Sequence, residues 1–256
     1  MAPTSIDGVD LGLAGRTALV TGATRGIGLA IARGLAAEGA RVVVVARSAA
    51  DVERLAADLQ GRGVAADLTS EAGCHAALAA CQGRLDILVN NLGLRSGSGW
   101  ADTGVAQFEQ GMAGNLYPAA RLSLLALPLM RERGWGRIVV ISSIFGREAG
   151  GAPAYNAAKA AEISLVTSLA REVARQGITV NAVAPGSILF AGGSWWRRRE
   201  ADPPAIATFV ERELPLGRFG TPEEVADAVT YLCSERAALV NGACLPVDGG
   251  QSRSNL

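Results

Sequence analysis

The chain has 256 residues, 49% of them hydrophobic and 19% charged, which supplies a large core and excludes global disorder. Lysine plus arginine (24) balance aspartate plus glutamate (24), so an electrostatically driven nucleic-acid binder is disfavoured. No apolar run approaches the ~20 residues that span a bilayer, and the opening residues, with Asp7 and Asp10, lack the basic-then-apolar start of a secretory leader.

Residues 1–12 are expected to form a polar, frayed N-terminus. Thr17-Ala18-Leu19-Val20-Thr21 is a short apolar run closed by Gly22. Residues 27–38 follow with helical spacing, placing Ile27, Ala30, Ile31, Gly34 and Leu35 on one face. Four consecutive valines, Val42 to Val45, predict a strand buried on both sides. An amphipathic helix over 51–59 has Asp51 to cap or lead its first turn. A short strand at 64–66 and a helix led by Ser70 and reaching about Cys81 come next. Ile87-Leu88-Val89 is a strand ending in Asn90-Asn91. Residues 105–133 read as one long helical region, with Pro128 as a possible kink or break. A strand at 138–141, a helix at 153–175 and a strand beginning at 178–180 follow. Residues 186–204 read as irregular; in a compact domain a loop of that length is usually a lid or a mobile segment. Thr221-Pro222 starts a helix over 223–233, and 243–247 is the last strand. Seven strands alternating with about six helices predict an α/β fold with a doubly wound parallel sheet.

The cysteines Cys74, Cys81, Cys233 and Cys244 form no C-x-x-C pair and read as thiols of a reducing, cytoplasmic compartment. His75 is the only histidine and lies in an Ala-rich helical stretch. A Ser-His-Asp hydrolase would have to use it, and a histidine zinc site lacks partners; no metal site is expected. Lys159 is the only lysine beside 23 arginines. A lone lysine in an arginine-biased chain points to a task that needs a compact point charge rather than a planar guanidinium.

Thr21-Gly22-Ala23-Thr24-Arg25-Gly26-Ile27-Gly28 follows the first strand and opens the first helix. The glycines permit a tight turn, backbone N–H groups close to a pyrophosphate and close helix–sheet packing, and the helix N-terminus adds a positive dipole end. In such folds an acidic residue ending the second strand selects the ribose 2′-hydroxyl, and an arginine instead accommodates a 2′-phosphate. Here the strand ends Val45-Ala46-Arg47-Ser48 with no acid, and Arg25 lies in the glycine turn. NADPH/NADP+ is therefore expected over NAD(H). Tyr155 and Lys159 stand four apart on a helix, hence on one face. A free tyrosine ionises near pH ~10, too high for a proton shuttle at neutrality, and a neighbouring ammonium favours the phenolate.

The ordered set Thr-Gly-x-x-x-Gly-x-Gly, Asn90-Asn91-Leu92-Gly93, Asn115, Ser143, Tyr155-x-x-x-Lys159, Pro185-Gly186 and Val247-Asp248-Gly249-Gly250 resembles the short-chain dehydrogenase/reductase superfamily, in particular its carbonyl reductase and 3-oxoacyl-carrier reductase members. The resemblance runs from Thr21 to Gly250. It implies a single Rossmann-like domain over 13–256 with a substrate lid over 187–213. It implies that Tyr155 gives or takes the proton, that Lys159 also hydrogen bonds the nicotinamide ribose, that Ser143 holds the substrate oxygen and that Asn115 binds a water on the proton path. Ser142 is the rival to Ser143, since strand alternation lets only one face the cleft. Beyond Gly22, Thr24, Arg25, Gly26, Ile27, Gly28, Arg47 and Ser48, the resemblance assigns the cofactor to Asp67 and Leu68 at the adenine, to Asn91 and Gly93 on the central strand, and to Pro185, Gly186 and the Ile188 backbone near the carboxamide; Asn90 resembles the residue that steadies the adenosine side. Two departures stand out: Leu92 where alanine is usual, expected to crowd the cofactor ribose, and Phe190 where a threonine usually holds the nicotinamide end, with Ser187 or Ser194 as substitutes. Substrate-side candidates are Arg95, Phe145, Arg147 and Trp195. The implied reaction moves hydride between the nicotinamide and a ketone or secondary alcohol, with a 3-oxoacyl thioester as the rival substrate; a catalytically silent dinucleotide-binding module is the reading from another class. Small-molecule substrate, no nucleic acid, no membrane, and a homotetramer or homodimer complete the expectation.

Overall fold

A computed structural model of the chain describes residues 10–255. Seven strands, β1 (Thr17–Thr21), β2 (Arg41–Ala46), β3 (Arg62–Ala65), β4 (Ile87–Asn90), β5 (Gly136–Ile141), β6 (Ile178–Pro185) and β7 (Cys244–Val247), form one sheet in the order β3-β2-β1-β4-β5-β6-β7. Every pairing is parallel. Strand order reverses between β1 and β4, which opens a crevice at their carboxyl ends.

Alternation along each strand feeds two cores. Ala18, Val20, Val42, Val44, Val139 and Ile141 face one layer, while Leu19, Val43, Val45, Ile138 and Val140 face the other. The first layer holds α1 (Gly26–Ala37), α2 (Ala49–Asp58) and α9 (Pro222–Cys233); the second holds α3 (Glu71–Ala79), α5 (Leu116–Arg133) and α6 (Pro153–Val173). Burial on both faces explains the unbroken apolar runs of β1, β4 and β5. Only the edge strands β3 and β7 have no fully buried position.

Three expectations are corrected. The single helix over 105–133 is two, α4 (Val105–Gly114) and α5, parted at Asn115 (φ −126°, ψ −72°), whereas Pro128 lies inside α5 without ending it. The segment 186–204 is not irregular throughout: it contains α7 (Ser194–Ala201) and the start of α8 (Pro203–Glu213), whose N-terminus is capped by Asp202 Oδ1 accepting from Ala205 N and led by Pro203. The described residues therefore carry nine α-helices rather than six. Of the expected frayed N-terminus, residues 1–9 lie outside the described residues; Leu11 packs on the first core and the Asp10 carbonyl accepts from Arg236 Nε, so 10–12 are docked.

Candidate active site

The glycine turn joins β1 to α1. Gly22 takes φ +61°, a conformation that favours glycine. At Gly28 a Cβ would run into the Gly22 carbonyl oxygen and stand 2.5 Å from Asn91 Nδ2. Asn91 is the clamp on this turn: its Nδ2 donates to the carbonyls of Thr21 (2.9 Å) and Gly22 (3.2 Å), and its backbone N–H donates to Thr21 Oγ1 (2.8 Å). The N-terminus of α1 has neither a side-chain cap nor an acidic residue in its first turn, whereas α2, α3, α8 and α9 are capped by Ser48, Ser70, Asp202 and Thr221. Uncapped N–H groups beside a positive dipole end, with Arg25 exposed at the turn, make a receptacle for a phosphate anion.

Arg47 follows β2 directly, exposed, and its charge bears on Asp67 beyond β3. Hydrogen bonds from the Thr69 backbone and hydroxyl (3.0 and 2.8 Å), then Arg47, hold the Asp67 carboxyl below its ordinary range. Ser48 Oγ accepts from Asp51 N, so it caps α2 and Asp51 sits in the first turn. Leu68 is buried in the second core. A dinucleotide with a 2′-phosphate fits this donor set: an uncapped helix end, two exposed guanidiniums, and no acid at the end of β2. Leu92 is half-buried and packs against the second core. Asn90 Nδ2 donates to Ser123 Oγ on α5.

Two of the expected acid–base residues, Asn115 and Lys159, meet beside Gly93 past the end of β4, and Lys159 also reaches the end of β5. Asn115 sits at the break between α4 and α5 because its amide replaces helix bonds: Nδ2 donates to the carbonyls of Gly111 (2.7 Å) and Leu94 (2.8 Å), and Oδ1 accepts from Leu94 N (3.1 Å). A Cβ on Gly93 would stand 3.4 Å from Asn115 Oδ1 and 3.6 Å from Lys159 Nζ, so both groups border one small space over that glycine. Tyr155 and Lys159 lie on α6, with Nζ 5.7 Å from the centre of the half-buried Tyr155 ring.

Ser142 and Ser143 divide as alternation requires. Ser142 Oγ donates to the Lys159 carbonyl (2.9 Å), tying the strand end to α6. Ser143 Oγ accepts from Phe145 N (3.2 Å), a bond that leaves its own O–H available to a substrate oxygen.

Lys159 is 2% exposed, and its ammonium donates to the Ile141 carbonyl (2.9 Å) and to both oxygens of Glu162 (3.1 and 3.0 Å). Burial works against the ammonium, but the Glu162 charge, Tyr155 and the Glu162 hydrogen bond outweigh it and hold Lys159 above the ordinary lysine range. Burial pushes the Glu162 carboxyl above the usual carboxylate range, opposed by Lys159. Glu162 is the residue that the sequence reading missed. Its three-residue spacing from the only lysine is the signal that could have found it.

Pro185 ends β6, and Gly186 packs so tightly on Asp248 that a Cβ would lie 2.7 Å from the Asp248 Cβ. Ile188 forms a parallel bridge with Gly220 through bonds made by Ser187 and Leu189, which leaves the Ile188 N–H and carbonyl turned away from that bridge. Phe190 lies on the glycine turn; a Cβ on Gly26 would meet its ring at 2.7 Å. Ser187 is buried, and its N–H donates to Gln251 Oε1. Ser194 is exposed at the start of α7.

The substrate-side candidates scatter. Trp195 stacks on Phe209 at 4.4 Å and leans on Phe219 at 5.2 Å, so its ring packs α7 against α8. Phe145 packs against Gly150 and Gly151. Arg95 is exposed. Arg147 is half-buried, its Nη1 has no hydrogen-bond partner, and its charge reaches Cys244 on the edge strand. A cavity of about 670 Å³ lies beside α8 among Leu189, Ile206, Val210 and Phe219, and neither Tyr155 nor Lys159 lines it.

Other expectations divide. His75 is a surface residue 3.7 Å from Glu71. Burial pushes the thiols of Cys81 and Cys233 up to about 12, as in inert core cysteines. Tyr117 and Tyr231, the other two tyrosines, are 47% and 42% exposed. Among the described residues no helix is long and apolar enough to cross a membrane, and no group of three or more His, Cys, Asp or Glu is placed to hold a metal.

Comparison with known proteins agrees with this geometry. A family profile described as "Enoyl-(Acyl carrier protein) reductase" matches residues 22–252. The 3-oxoacyl-[acyl-carrier-protein] reductase FabG of Escherichia coli is 38% identical over 242 residues, covering 92% of this chain and 97% of that protein. L-sorbose reductase from Gluconobacter frateurii, solved with NADPH and L-sorbose, superposes with a TM-score of 0.89 at 33% identity, over 96% of this chain and 99% of that one. A variant of actinorhodin polyketide ketoreductase with NADPH gives a TM-score of 0.86 at 36% identity, over 93% and 98%.

Proposed function

The chain belongs to the short-chain dehydrogenase/reductase family, and from that premise we propose that it is an NADPH-dependent reductase acting on a ketone, reversibly with the secondary alcohol. The observation that carries the reading is that Asn115 and Lys159 border one space over Gly93, with the Tyr155 ring centre 5.7 Å from the Lys159 ammonium.

The backbone of Gly22, Thr24, Gly26, Ile27 and Gly28 would cradle the pyrophosphate, with Asn91 bracing the turn. Arg25 and Arg47 would hold the 2′-phosphate, with Ser48 beside them. Asp67 and Leu68 would border the adenine. Gly93, Lys159, Pro185, Gly186 and the Ile188 backbone would border the nicotinamide end. When bound, the cofactor supplies hydride chemistry. The chain manages position and protons. Ser143 donates to the substrate oxygen and aligns it. Tyr155 gives the proton to that oxygen in reduction and takes it back in oxidation. Lys159 places a cation beside the phenol, which favours the phenolate form that each turnover leaves behind. Asn115, through its bonds to Leu94 and Gly111, keeps the α4–α5 break open next to Lys159.

A 3-oxoacyl thioester is the second reading. Its support is the likeness to 3-oxoacyl-[acyl-carrier-protein] reductases together with the row Arg197, Arg198 and Arg199 on α7, a basic edge suited to an acidic carrier. We also place the enzyme in the cytoplasm as a homodimer or homotetramer. The support is the set of unpaired cysteines, and Val105 and Leu124 standing 75% and 66% exposed on α4 and α5.

The deciding experiment is NADPH and NADH oxidation over a panel of simple ketones, ketoses and acetoacetyl thioesters, with Tyr155→Phe alongside. NADPH turnover that falls by ~10²–10⁴-fold in the variant, with NADPH binding preserved, is the expected result. No turnover with any carbonyl, or a fully active Tyr155→Phe, would refute the reading.

A further inference from the structure

Glu162 is a buried carboxylate that none of the steps above uses. It is 1% exposed, and both of its oxygens meet Lys159 Nζ at 3.1 and 3.0 Å. Resting on the reading of Tyr155 and Lys159 as the proton-handling pair, we propose that Glu162 is a positioning residue: its carboxylate holds the Lys159 ammonium ionised and fixed beneath Gly93, and thereby sets the alkaline limit of the Tyr155 chemistry.

A buried ammonium loses its hydration and, left alone, drops its proton. Ile141 offers only a neutral carbonyl, and that cannot replace a counter-charge. The other ionisable groups on the elements packed around this stretch of α6 are directed elsewhere. On α4, Glu109 is exposed. On α5, Tyr117, Glu132 and Arg133 are exposed, Arg121 donates to the Thr69 carbonyl and Arg131 to Gln176; past the turn that follows β5, the charge of Arg147 bears on Cys244. On β5, Arg137 lies at the opposite end of the strand and donates to the Ser234 carbonyl. β6 carries no ionisable side chain. Asn115 and Ser142, which border Lys159, are uncharged. The charges that bear on Lys159 are thus those of Glu162 and Tyr155, and the one that bears on Glu162 is that of Lys159.

Geometry adds to charge. Three N–H donors face three acceptors, Ile141 O and the two Glu162 oxygens, so the ammonium is held from below with the Gly93 space 3.6 Å away. Because one carboxylate oxygen suffices for the ion pair, the second contact can yield to a hydroxyl arriving over Gly93 without uncovering the charge.

The test uses the fact that Lys159 is the only lysine. In full-length protein labelled with ¹³C,¹⁵N-lysine, the side chain gives a single set of signals, whose pH titration reports Lys159 directly and requires no turnover. In the unaltered chain the ammonium is expected to persist beyond the ordinary lysine midpoint of about 10.4. In Glu162→Gln, which keeps size and one acceptor but removes the charge, the midpoint is expected to fall by about one pH unit or more. The alkaline limb of kcat should move down with it, while KM for the carbonyl changes less than about twofold. Glu162→Asp, which restores the charge, should recover at least half of the shift. A midpoint unchanged in Glu162→Gln, or no recovery in Glu162→Asp, overturns the proposal. If Glu162→Gln does not fold, the unaltered chain still decides: titration of Lys159 below the ordinary lysine midpoint overturns the proposal, and persistence above it supports it. Failure of NADPH turnover would remove the functional reading while leaving the Lys159–Glu162 titration to stand or fall alone.

Discussion

Gly28→Ala tests the glycine turn without altering any charge. Gly28 lies in the first turn of α1 at an ordinary helical φ, so alanine is favoured there on propensity by about 1 kcal/mol. Space decides against it. The added methyl would run into the Gly22 carbonyl oxygen, stand 2.5 Å from Asn91 Nδ2 and 2.9 Å from the Gly22 carbonyl carbon. Two of these atoms are backbone of the turn, and the third is the amide that clamps it. Overpacking of this kind costs ~1–3 kcal/mol, and each Asn91 bond forced open forfeits about 1 kcal/mol. Net destabilisation of about 2–4 kcal/mol follows, or a fall in Tm of ~5–15 °C for a chain of this size. The displaced turn also spoils the anion receptacle. Loss of one charge-assisted bond, ~1.5–3 kcal/mol, weakens NADPH about 10- to 150-fold. Thermal melting and NADPH fluorescence titration measure the two effects. Gly93→Ala is the internal control: its methyl meets Asn115 and Lys159 only at 3.4 and 3.6 Å, so Tm should move by about 2 °C or less while NADPH binding still weakens. A Gly28→Ala protein with unchanged Tm and NADPH affinity within twofold would refute the placement of the pyrophosphate at this turn.

Replacing Arg25 and Arg47 together by alanine should weaken NADPH by about 10- to 100-fold or more and leave NADH nearly unchanged; equal losses for both cofactors in binding titrations would exclude the 2′-phosphate role. Asn115→Ala removes three hydrogen bonds of 2.7, 2.8 and 3.1 Å at a buried helix break and should cost about 3 kcal/mol, with kcat falling more than KM; an unchanged urea midpoint would contradict it. At Glu224, hydrogen bonds from Arg218 and then from the Thr221 N–H pull the carboxyl down to about 2. A depressed carboxyl stabilises the fold above its unfolded value, near ~4.3, and loses that contribution as pH falls toward 2. The effect is small because the pair is exposed, and Tm curves of the unaltered protein and Glu224→Gln should differ above pH ~4.5 and converge near pH 2; parallel curves would show that the pair is inert.

Much of the sheet was legible because burial on both faces writes itself as consecutive valines and isoleucines, and because the glycine turn sits where a strand yields to a helix. The helix break at Asn115 was missed. Of the two prolines in that stretch, Pro128 is carried inside α5, while Pro118, in the first turn of α5 and three residues past the break, lacks the N–H that an unbroken helix would direct at the Gly114 carbonyl; it was the local warning that went unread. The actual break rests on a side-chain amide reaching Leu94, 21 residues earlier in the chain, a tertiary bond with no local signature. The lid failed for a related reason. The Trp-Trp-Arg-Arg-Arg run of α7 has no apolar periodicity and no fully buried residue, and its helix is held by Trp195 stacking on Phe209 from α8 and on Phe219. Alternation narrowed Ser142 and Ser143 to one cleft residue but could not choose between them. The difference is made by a bond from Ser142 to the Lys159 carbonyl on another element.

The arginine bias of the composition acquires a physical reason at the same place. The three acceptors around Lys159 Nζ, one carbonyl from β5 and two oxygens from α6, lie at 2.9 to 3.1 Å from a single nitrogen. A tetrahedral ammonium can direct three donors at once from one atom, whereas a guanidinium spreads its donors over a plane and three nitrogens. An arginine here would have to move Glu162 or leave it partly unpaired, and an uncompensated buried carboxylate is among the most destabilising defects that a core can carry. Elsewhere the cations are arginines that face solvent, stack on tryptophan as Arg16 and Arg137 do on Trp135, or pair at the surface, where a planar fork serves as well or better. Retention of a single lysine in such a chain follows from the shape of the pocket that holds it.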